Sequence, residues 1–160
     1  MPEVFVAAGG NIEPRQRLRQ ALALLQAAYP DLRVSPAYAN RAVGFDGEDF
    51  VNLVVGFHTS ESLAQVLETL HRIEEACGRP REAAKWAPRS MDLDVLLYGT
   101  DAGAYPGAVL PRPDLLKRAF MLGPLADLAP DVVHPTEGVT IAELWRRFDR
   151  AAHELRPVEL

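Results

Sequence analysis

The sequence lacks several features that would place it in a specialised class of protein. Cys77 is its only cysteine, so no disulfide bond can form within the chain. No apolar run is long enough to cross a bilayer, and residues 1–10 lack the charged start and long apolar stretch of a signal peptide. We therefore expect a cytoplasmic protein that has no membrane partner.

Positive charge is also in short supply. The chain carries 17 lysines and arginines against 22 aspartates and glutamates, a formal net charge of -5, which argues against binding to nucleic acid. Residues 78–89 are an exception, because they hold four cations and one anion. Such a basic island favours a compact anionic ligand, and we predict that it binds phosphate through Arg79, Arg81, Lys85 and Arg89.

The length and composition indicate one domain. The chain has 160 residues, of which 48% are hydrophobic and 24% are charged, as is usual for a globular protein with a sizeable core. No repeat and no internal linker interrupts it. We expect a single, monomeric domain over residues 1–160, with a loosely held tail after about residue 153.

Hydrophobic periodicity predicts the element order βαββαβ. Strands are expected over residues 4–8, 32–38, 50–58 and 91–98, and the first of them leads into a Gly9-Gly10 turn. One helix begins near Pro14; another begins after Thr59 or Ser60 and ends at Gly78. This order predicts a ferredoxin-like α+β sandwich, in which an antiparallel sheet carries helices on one face, with helical additions at the C-terminus.

Two aspartates begin the fourth predicted strand. Asp92 and Asp94 would share one face, with Cα atoms roughly 6.6 Å apart at about 3.3 Å per residue, while Leu93, Val95 and Leu97 take the core face. Two converging carboxylates suit one or two divalent cations. Because hard oxygen ligands next to phosphates favour magnesium over zinc, we predict a magnesium site here.

The third predicted strand places an aromatic ring beside an amide. Phe50 and Asn52 share the face opposite its apolar residues, a combination that suits a flat heterocycle. The strand by itself favours a plainer interpretation, in which Phe50 is core and Asn52 is a strand-end hydrogen bonder. Arg118 and Phe120 are a similar, ambiguous pair, and Glu74 is expected to be a solvated charge.

Several segments together resemble the 6-hydroxymethyl-7,8-dihydropterin pyrophosphokinase family. They are W-A-P-R-S-M-D-L-D-V-L-L-Y-G at 86–99, F-V-N at 50–52, G-R-P-R at 78–81 and R-A-F at 118–120. The resemblance extends from the first glycine-rich turn to Pro135. It implies an enzyme of folate biosynthesis that transfers diphosphate from ATP to the hydroxymethyl group of the pterin and releases AMP.

The resemblance also implies a role for individual residues. Asp92 and Asp94 would bind two magnesium ions that bridge the ATP phosphates, and Asp92 would also contact the pterin. The pterin ring would lie between Phe50 and Phe120, with Asn52 at its edge and the backbone near Val43 completing the pocket. Loops 40–49 and 78–89 would close over both substrates. The ATP side would comprise Arg79, Arg81, Lys85, Trp86, Arg89, Arg112 and Arg118, and Arg79 and Arg89 would also be catalytic.

Some observations leave alternatives open. Arg112-Pro113 stands where the family usually has a nucleotide-contacting histidine, and Asn40-Arg41-Ala42 replaces a typical Thr-x-Pro. The chain has neither the G-x-x-x-x-G-K-S/T loop nor the protein-kinase motifs, and no general base stands out. A two-metal nucleotidyltransferase also uses paired carboxylates. A non-catalytic ferredoxin-like binding module would use the aspartates only to cap a strand.

Overall fold

The computed structural model describes residues 1–41, 49–78 and 91–160. Six predicted site residues lie outside the described residues, so their predicted roles are not addressed by the structure: Val43, Arg79, Arg81, Lys85, Trp86 and Arg89. No helix in the described part of the chain is both long and apolar enough to cross a membrane.

The described residues form a mixed α/β structure. Its strands are β1 (Glu3–Gly10), β2 (Arg33–Val34), β3 (Ala37–Asn40), β4 (Phe50–His58), β5 (Asp92–Tyr98), β6 (Gly103–Tyr105), β7 (Ala108–Leu110) and β8 (Arg156–Val158). Its α-helices are α1 (Pro14–Ala28), α2 (Leu63–Ala76), α3 (Ala119–Leu128) and α4 (Ile141–Arg147). Single 3-10 turns occur at Pro113–Leu116 and Arg150–Ala152.

The main sheet is antiparallel and is organised around β1. Its strand order is β5-β1-β4-β3-β8, with β2 also paired to β4, while β6 and β7 form a separate hairpin. The end of the chain, where the sequence predicts a loose tail, contains β8, which pairs with β3. Because β1 lies between β4 and β5, the strands that carry the predicted site residues are held on either side of it.

Helices cover both faces of the sheet: α1 and α2 lie together on one face, and α3, which comes later in the chain, lies on the other. Leu18 of α1 and Leu70 of α2 pack against one face of the sheet, in a buried cluster that also contains strand residues such as Val6. Leu122 and Leu125 of α3 belong to a second cluster, which includes Phe5 on the opposite face. The reason is the composition of α3, whose buried residues surround the helix, so that it must be covered on several sides.

The second helix begins later than the sequence predicts. Its N-cap is Ser62 rather than Thr59 or Ser60, and the Ser62 Oγ accepts a hydrogen bond from the Gln65 amide at 3.2 Å. The Gln65 side chain accepts in return from the Ser62 amide at 2.8 Å. This capping box satisfies two amide groups and sets the start of α2. Gly78 follows the end of α2 with a φ of 95°, as predicted.

A β-bulge changes the orientation of one predicted core residue. Phe5 pairs with Leu97 and Val6 pairs with Val95, which leaves Leu96 as an extra residue in β5. Leu96 and Leu97 therefore both lie in the second cluster, whereas Val95 lies in the first. The prediction that Leu97 shares a face with Val95 is wrong, because strict alternation holds only up to the bulge.

A buried histidine supports the turn that precedes α4. His134 is 2% exposed, and its Nδ1 accepts hydrogen bonds from the amides of Thr136 and Glu137 at 3.3 and 3.1 Å. Burial lowers the pKa of His134 below its usual 6.5, and the carboxylate of Glu137 opposes that shift only in part. The folded protein thus favours the neutral ring.

We predict that His134→Asn reduces the acid sensitivity of the fold. A depressed pKa in the folded state contributes stability above about pH 6.5, which is lost as the pH falls, because the unfolded chain binds the proton more readily. Asparagine can accept the same amide hydrogen bonds but does not titrate. Urea unfolding at about pH 8 and about pH 5 should show a smaller loss of unfolding free energy than in the wild type.

The exposed histidine of α2 provides the matched control. His71→Asn should leave the wild-type dependence of unfolding free energy on pH intact. If His134→Asn and the wild type lose the same unfolding free energy on acidification, the buried ring of His134 is not a source of the acid sensitivity.

Candidate active site

A cavity of about 380 Å³ lies on the α3 face of the sheet, where β1 ends and β4 and β5 begin. Residues from six separated segments of the chain line it. They include six of the predicted site residues: Phe50, Asn52, Asp92, Asp94, Arg112 and Phe120. Phe50 and Asn52 thus share a pocket with the aspartate pair, and the plainer interpretation of Phe50 as a core residue does not describe its position.

Strand register brings the amide and the first aspartate together. Gly9 of β1 lies opposite Asn52 of β4 and opposite Asp92 of β5, so the three form one row across the sheet. Gly9 belongs to β1 rather than to a turn. A Cβ atom at Gly9 would lie 2.0 Å from the Asn52 Oδ1 atom, so the absence of a side chain makes room for the amide.

Asn40 fixes the amide of Asn52. The Asn52 Nδ2 donates a hydrogen bond to the Asn40 Oδ1 at 2.9 Å, and Asn52 is only 9% exposed. Asn40 also lines the cavity. Sequence reasoning placed Asn40 in a loop because the predicted strand ended at Tyr38. The alternation in A-Y-A-N, with Ala37 and Ala39 buried, is the signal that could have revealed it.

An arginine lies between two carboxylates at the rim of the cavity. The Arg112 Nη1 is 3.6 Å from the Asp94 Oδ1, and the Arg112 Nη2 is 3.7 Å from the Asp114 Oδ2. The three side chains are between a third and about two fifths exposed, so these ion pairs contribute little to stability. They place a guanidinium group beside the aspartate pair, where it can turn to an incoming anion.

A second cavity of about 380 Å³ adjoins the first. Its walls come from the β6–β7 hairpin and the turn that follows, and Arg112 and Asp114 line both cavities. The site therefore offers two adjoining compartments with a cation between them. Arg118, by contrast, is exposed at the start of α3 and does not line either cavity.

The donor set at the first cavity suits magnesium better than a softer metal. Asp92 and Asp94 are half-buried carboxylates on one side of β5. Within residues 1–41, 49–78 and 91–160, no group of three or more histidine, cysteine, aspartate or glutamate side chains could hold a metal by itself. Magnesium typically takes one or two carboxylates and completes its shell with water and substrate phosphates, so this pair fits it.

Glu74 differs from its predicted role. It is 4% exposed instead of solvated, and its Oε2 accepts a hydrogen bond from the Leu93 amide at 2.9 Å. Leu93 lies between the two aspartates of β5. The position of Glu74 in the last turn of an amphipathic helix suggested that it is exposed. Its contact with Leu93 depends on how α2 packs against the edge of the sheet, and the hydrophobic periodicity of the helix does not reveal this packing.

Comparison with known proteins gives a consistent result. A family model described as 7,8-dihydro-6-hydroxymethylpterin-pyrophosphokinase matches residues 5–130. A 2-amino-4-hydroxy-6-hydroxymethyldihydropteridine pyrophosphokinase of Synechocystis is 39% identical over 150 residues, covering 92% of this chain and 76% of the relative. The enzyme of the same name from Pseudomonas aeruginosa is 39% identical over 146 residues and covers 88% of each chain.

Solved structures share the fold. Wild-type HPPK-DHPS of Plasmodium falciparum aligns with a TM-score of 0.69 at 14% identity, covering 96% of this chain and 45% of that one. An HPPK-DHPS in complex with substrates aligns with a TM-score of 0.71 at 12% identity, covering 94% and 44%. The chain thus spans less than half the length of these structures, and at such identities the likeness concerns the fold.

We predict that Gly9→Ala destabilises the protein through its overlap with the Asn52 amide. The new methyl group would overlap the Asn52 Oδ1, and we expect a loss of about 1–3 kcal/mol in unfolding free energy. Combining Gly9→Ala with Asn52→Ala should cost less than the sum of the two single changes, because the second change removes the overlap. Additive losses in a denaturant-unfolding cycle would show that the overlap is unimportant.

Proposed function

The chain belongs to the 7,8-dihydro-6-hydroxymethylpterin-pyrophosphokinase family, and from that premise we propose how its residues carry out the reaction. It is a pyrophosphokinase of folate biosynthesis, as its curated relatives are. Diphosphate passes from ATP to the hydroxymethyl group of 6-hydroxymethyl-7,8-dihydropterin, and AMP leaves. The main structural support is the single cavity that joins Phe50, Asn52, Asp92, Asp94 and Phe120.

The first cavity takes the pterin. Phe50 and Phe120 provide aromatic faces for a flat bicyclic ring, which gains dispersion and stacking energy between them. Asn52 donates and accepts hydrogen bonds at the ring edge, and its contact with Asn40 holds the amide in one orientation. Asp92, in the same row of the sheet as Asn52, contacts the ring from the other side of Gly9.

Asp92 and Asp94 are the residues that would hold the two magnesium ions, next to the ATP phosphates. When bound, magnesium neutralises phosphate charge and aligns the group that is transferred. The strand holds both carboxylates on the wall of the pterin cavity, so that the hydroxymethyl oxygen lies near the phosphates. That oxygen forms a bond to the β-phosphorus and gives up its proton to the solvent, while the bond from this phosphorus to the α–β bridging oxygen breaks, which releases AMP.

The second cavity and Arg112 form the nucleotide side. Arg112 lies at the boundary between the two cavities and turns from Asp94 and Asp114 to a phosphate. Arg118 reaches phosphate from the start of α3. The remaining cations and the pterin-contacting backbone lie outside the described residues, and we propose them on family membership alone: Val43, Arg79, Arg81, Lys85, Trp86 and Arg89.

The finer features of the fold and its setting belong to the same proposal. We assign the domain to the ferredoxin-like class, with α3 and α4 as C-terminal additions, and the strand order β5-β1-β4-β3 with antiparallel neighbours supports this. We further propose that residues 1–160 act as one monomeric domain in the cytoplasm.

The product of the reaction tests the activity. Incubation with ATP, magnesium and 6-hydroxymethyl-7,8-dihydropterin should yield AMP and the pterin diphosphate in equal amounts, measured by phosphorus NMR. Omission of the pterin is the control and should yield neither. Release of ADP would indicate a simple kinase, and release of free diphosphate would indicate a nucleotidyltransferase; either would refute the proposal.

Substitution of the aspartates tests the metal assignment. Asp92→Ala and Asp94→Ala should each lower kcat by about a thousandfold or more, equivalent to about 4 kcal/mol of transition-state stabilisation. Thermal unfolding should change little, because both side chains are half-exposed. Asp101→Ala, at an exposed aspartate just after β5, is the matched control. Near-normal turnover in both cavity variants would disprove the assignment.

A further inference from the structure

The buried carboxylate of Glu74 is not used by the reaction as described above. It lies in the last turn of α2, the helix that packs with α1 on one face of the sheet, and is 4% exposed. Glutamate is among the residues that are least often fully buried, because removing its charge from water is costly unless it is well hydrogen-bonded. A carboxylate kept in such a place must make contacts that offset this cost.

One contact of Glu74 is with the edge of the sheet. Strand β5 is the end strand in the described sheet, so its outward amide and carbonyl groups have no strand neighbour there. The Leu93 amide donates to the Glu74 Oε2 at 2.9 Å, and the Leu96 carbonyl accepts from the Arg112 amide at 3.0 Å. These two anchors lie on either side of Asp94.

The anchored amide controls the direction of both aspartates. The Leu93 amide belongs to the peptide plane that joins it to Asp92, so holding this group restricts the backbone rotation of Asp92. The Leu93 side chain packs in the cluster under α1 and α2, and alternation then directs Asp92 and Asp94 to the cavity.

We propose that Glu74 is a positioning residue that aligns the Asp92 and Asp94 carboxylates by holding the Leu93 amide. The inference rests on the proposed function, because it assumes that these aspartates bind the magnesium ions. It assigns Glu74 no contact with metal or substrate. Its effect is geometric, and this distinguishes it from a carboxylate that attracts cations through its charge.

Two conservative substitutions separate geometry from charge. Glu74→Gln removes the charge but keeps an oxygen at the same reach, so the hydrogen bond to the Leu93 amide survives. Glu74→Asp keeps the charge but shortens the side chain by one methylene, so the carboxylate no longer reaches the amide. If Glu74 acts by positioning, manganese binding should be weakened in Glu74→Asp and kept in Glu74→Gln. If Glu74 acts through its charge, the reverse is expected.

The first measurement is hydrogen exchange of the Leu93 amide by NMR in the metal-free protein. Glu74→Asp should exchange this amide about tenfold faster or more than the wild type, and Glu74→Gln should stay close to the wild type. The second is titration with manganese and an ATP analogue that has a methylene α–β bridge. Glu74→Asp should bind manganese about 10–100-fold more weakly, the range seen when partners of metal ligands are removed.

Controls separate failure of this inference from failure of the proposed function. Glu68→Ala, at a mostly exposed glutamate of the same helix, should match the wild type in both measurements. Asp94→Asn should weaken manganese binding while the Leu93 amide stays protected. If Asp94→Asn binds manganese normally, the metal assignment is wrong and the inference falls with it.

Three results would overturn the role of Glu74 alone. Glu74→Asp could lose protection of the Leu93 amide yet bind manganese normally, which would show that the hydrogen bond does not align the aspartates. Glu74→Asp could also keep both the protection of the Leu93 amide and the wild-type affinity for manganese, which would show that neither depends on the length of this side chain. If Glu74→Asp does not fold, Glu74→Gln tests the proposal by itself. Weak manganese binding by Glu74→Gln, with the Leu93 amide still protected, would show that the charge of Glu74 matters and its positioning does not.

Discussion

The antiparallel pairing of β1 with both of its neighbours is the constraint on which the site depends. It places Gly9 between Asn52 and Asp92, so the amide assigned to the pterin and the carboxylate assigned to magnesium lie in one row. A slip of one residue in either pairing would move one of these side chains to the opposite face of the sheet. The hydrophobic clusters on both faces oppose such a slip, because it would also expose their apolar residues.

The two faces of the sheet differ in how completely helices cover them. Helices α1 and α2 close one face completely enough to bury strand residues such as Leu53 and Val95. On the other face α3 packs over the middle of the sheet, and the cavity opens beside its first turn, where Phe120 lies. The placement of α3 thus both stabilises the domain and provides one wall of the pocket.

The grouping of side chains on two strands of the candidate site could be predicted from local sequence, because alternation along a strand is a local property. It correctly grouped Phe50 with Asn52 and Asp92 with Asp94. It could not reveal which strands are neighbours, and so it missed the role of Gly9 and the contact from Asn40. It also failed at Leu97, where a bulge interrupts the alternation, and at Glu74, whose burial depends on packing between elements distant in sequence.

The shared position of Arg112 between Asp94 and Asp114 has a consequence for how the pocket fills. A cation that binds Asp94 would displace the guanidinium group towards Asp114 or an incoming anion, and an anion that draws the guanidinium group away would remove a positive charge from beside Asp94. Each ion therefore makes the electrostatic surroundings more favourable for the other. The exchange of partners at Arg112 would thus couple the binding of a metal ion to the binding of a phosphate.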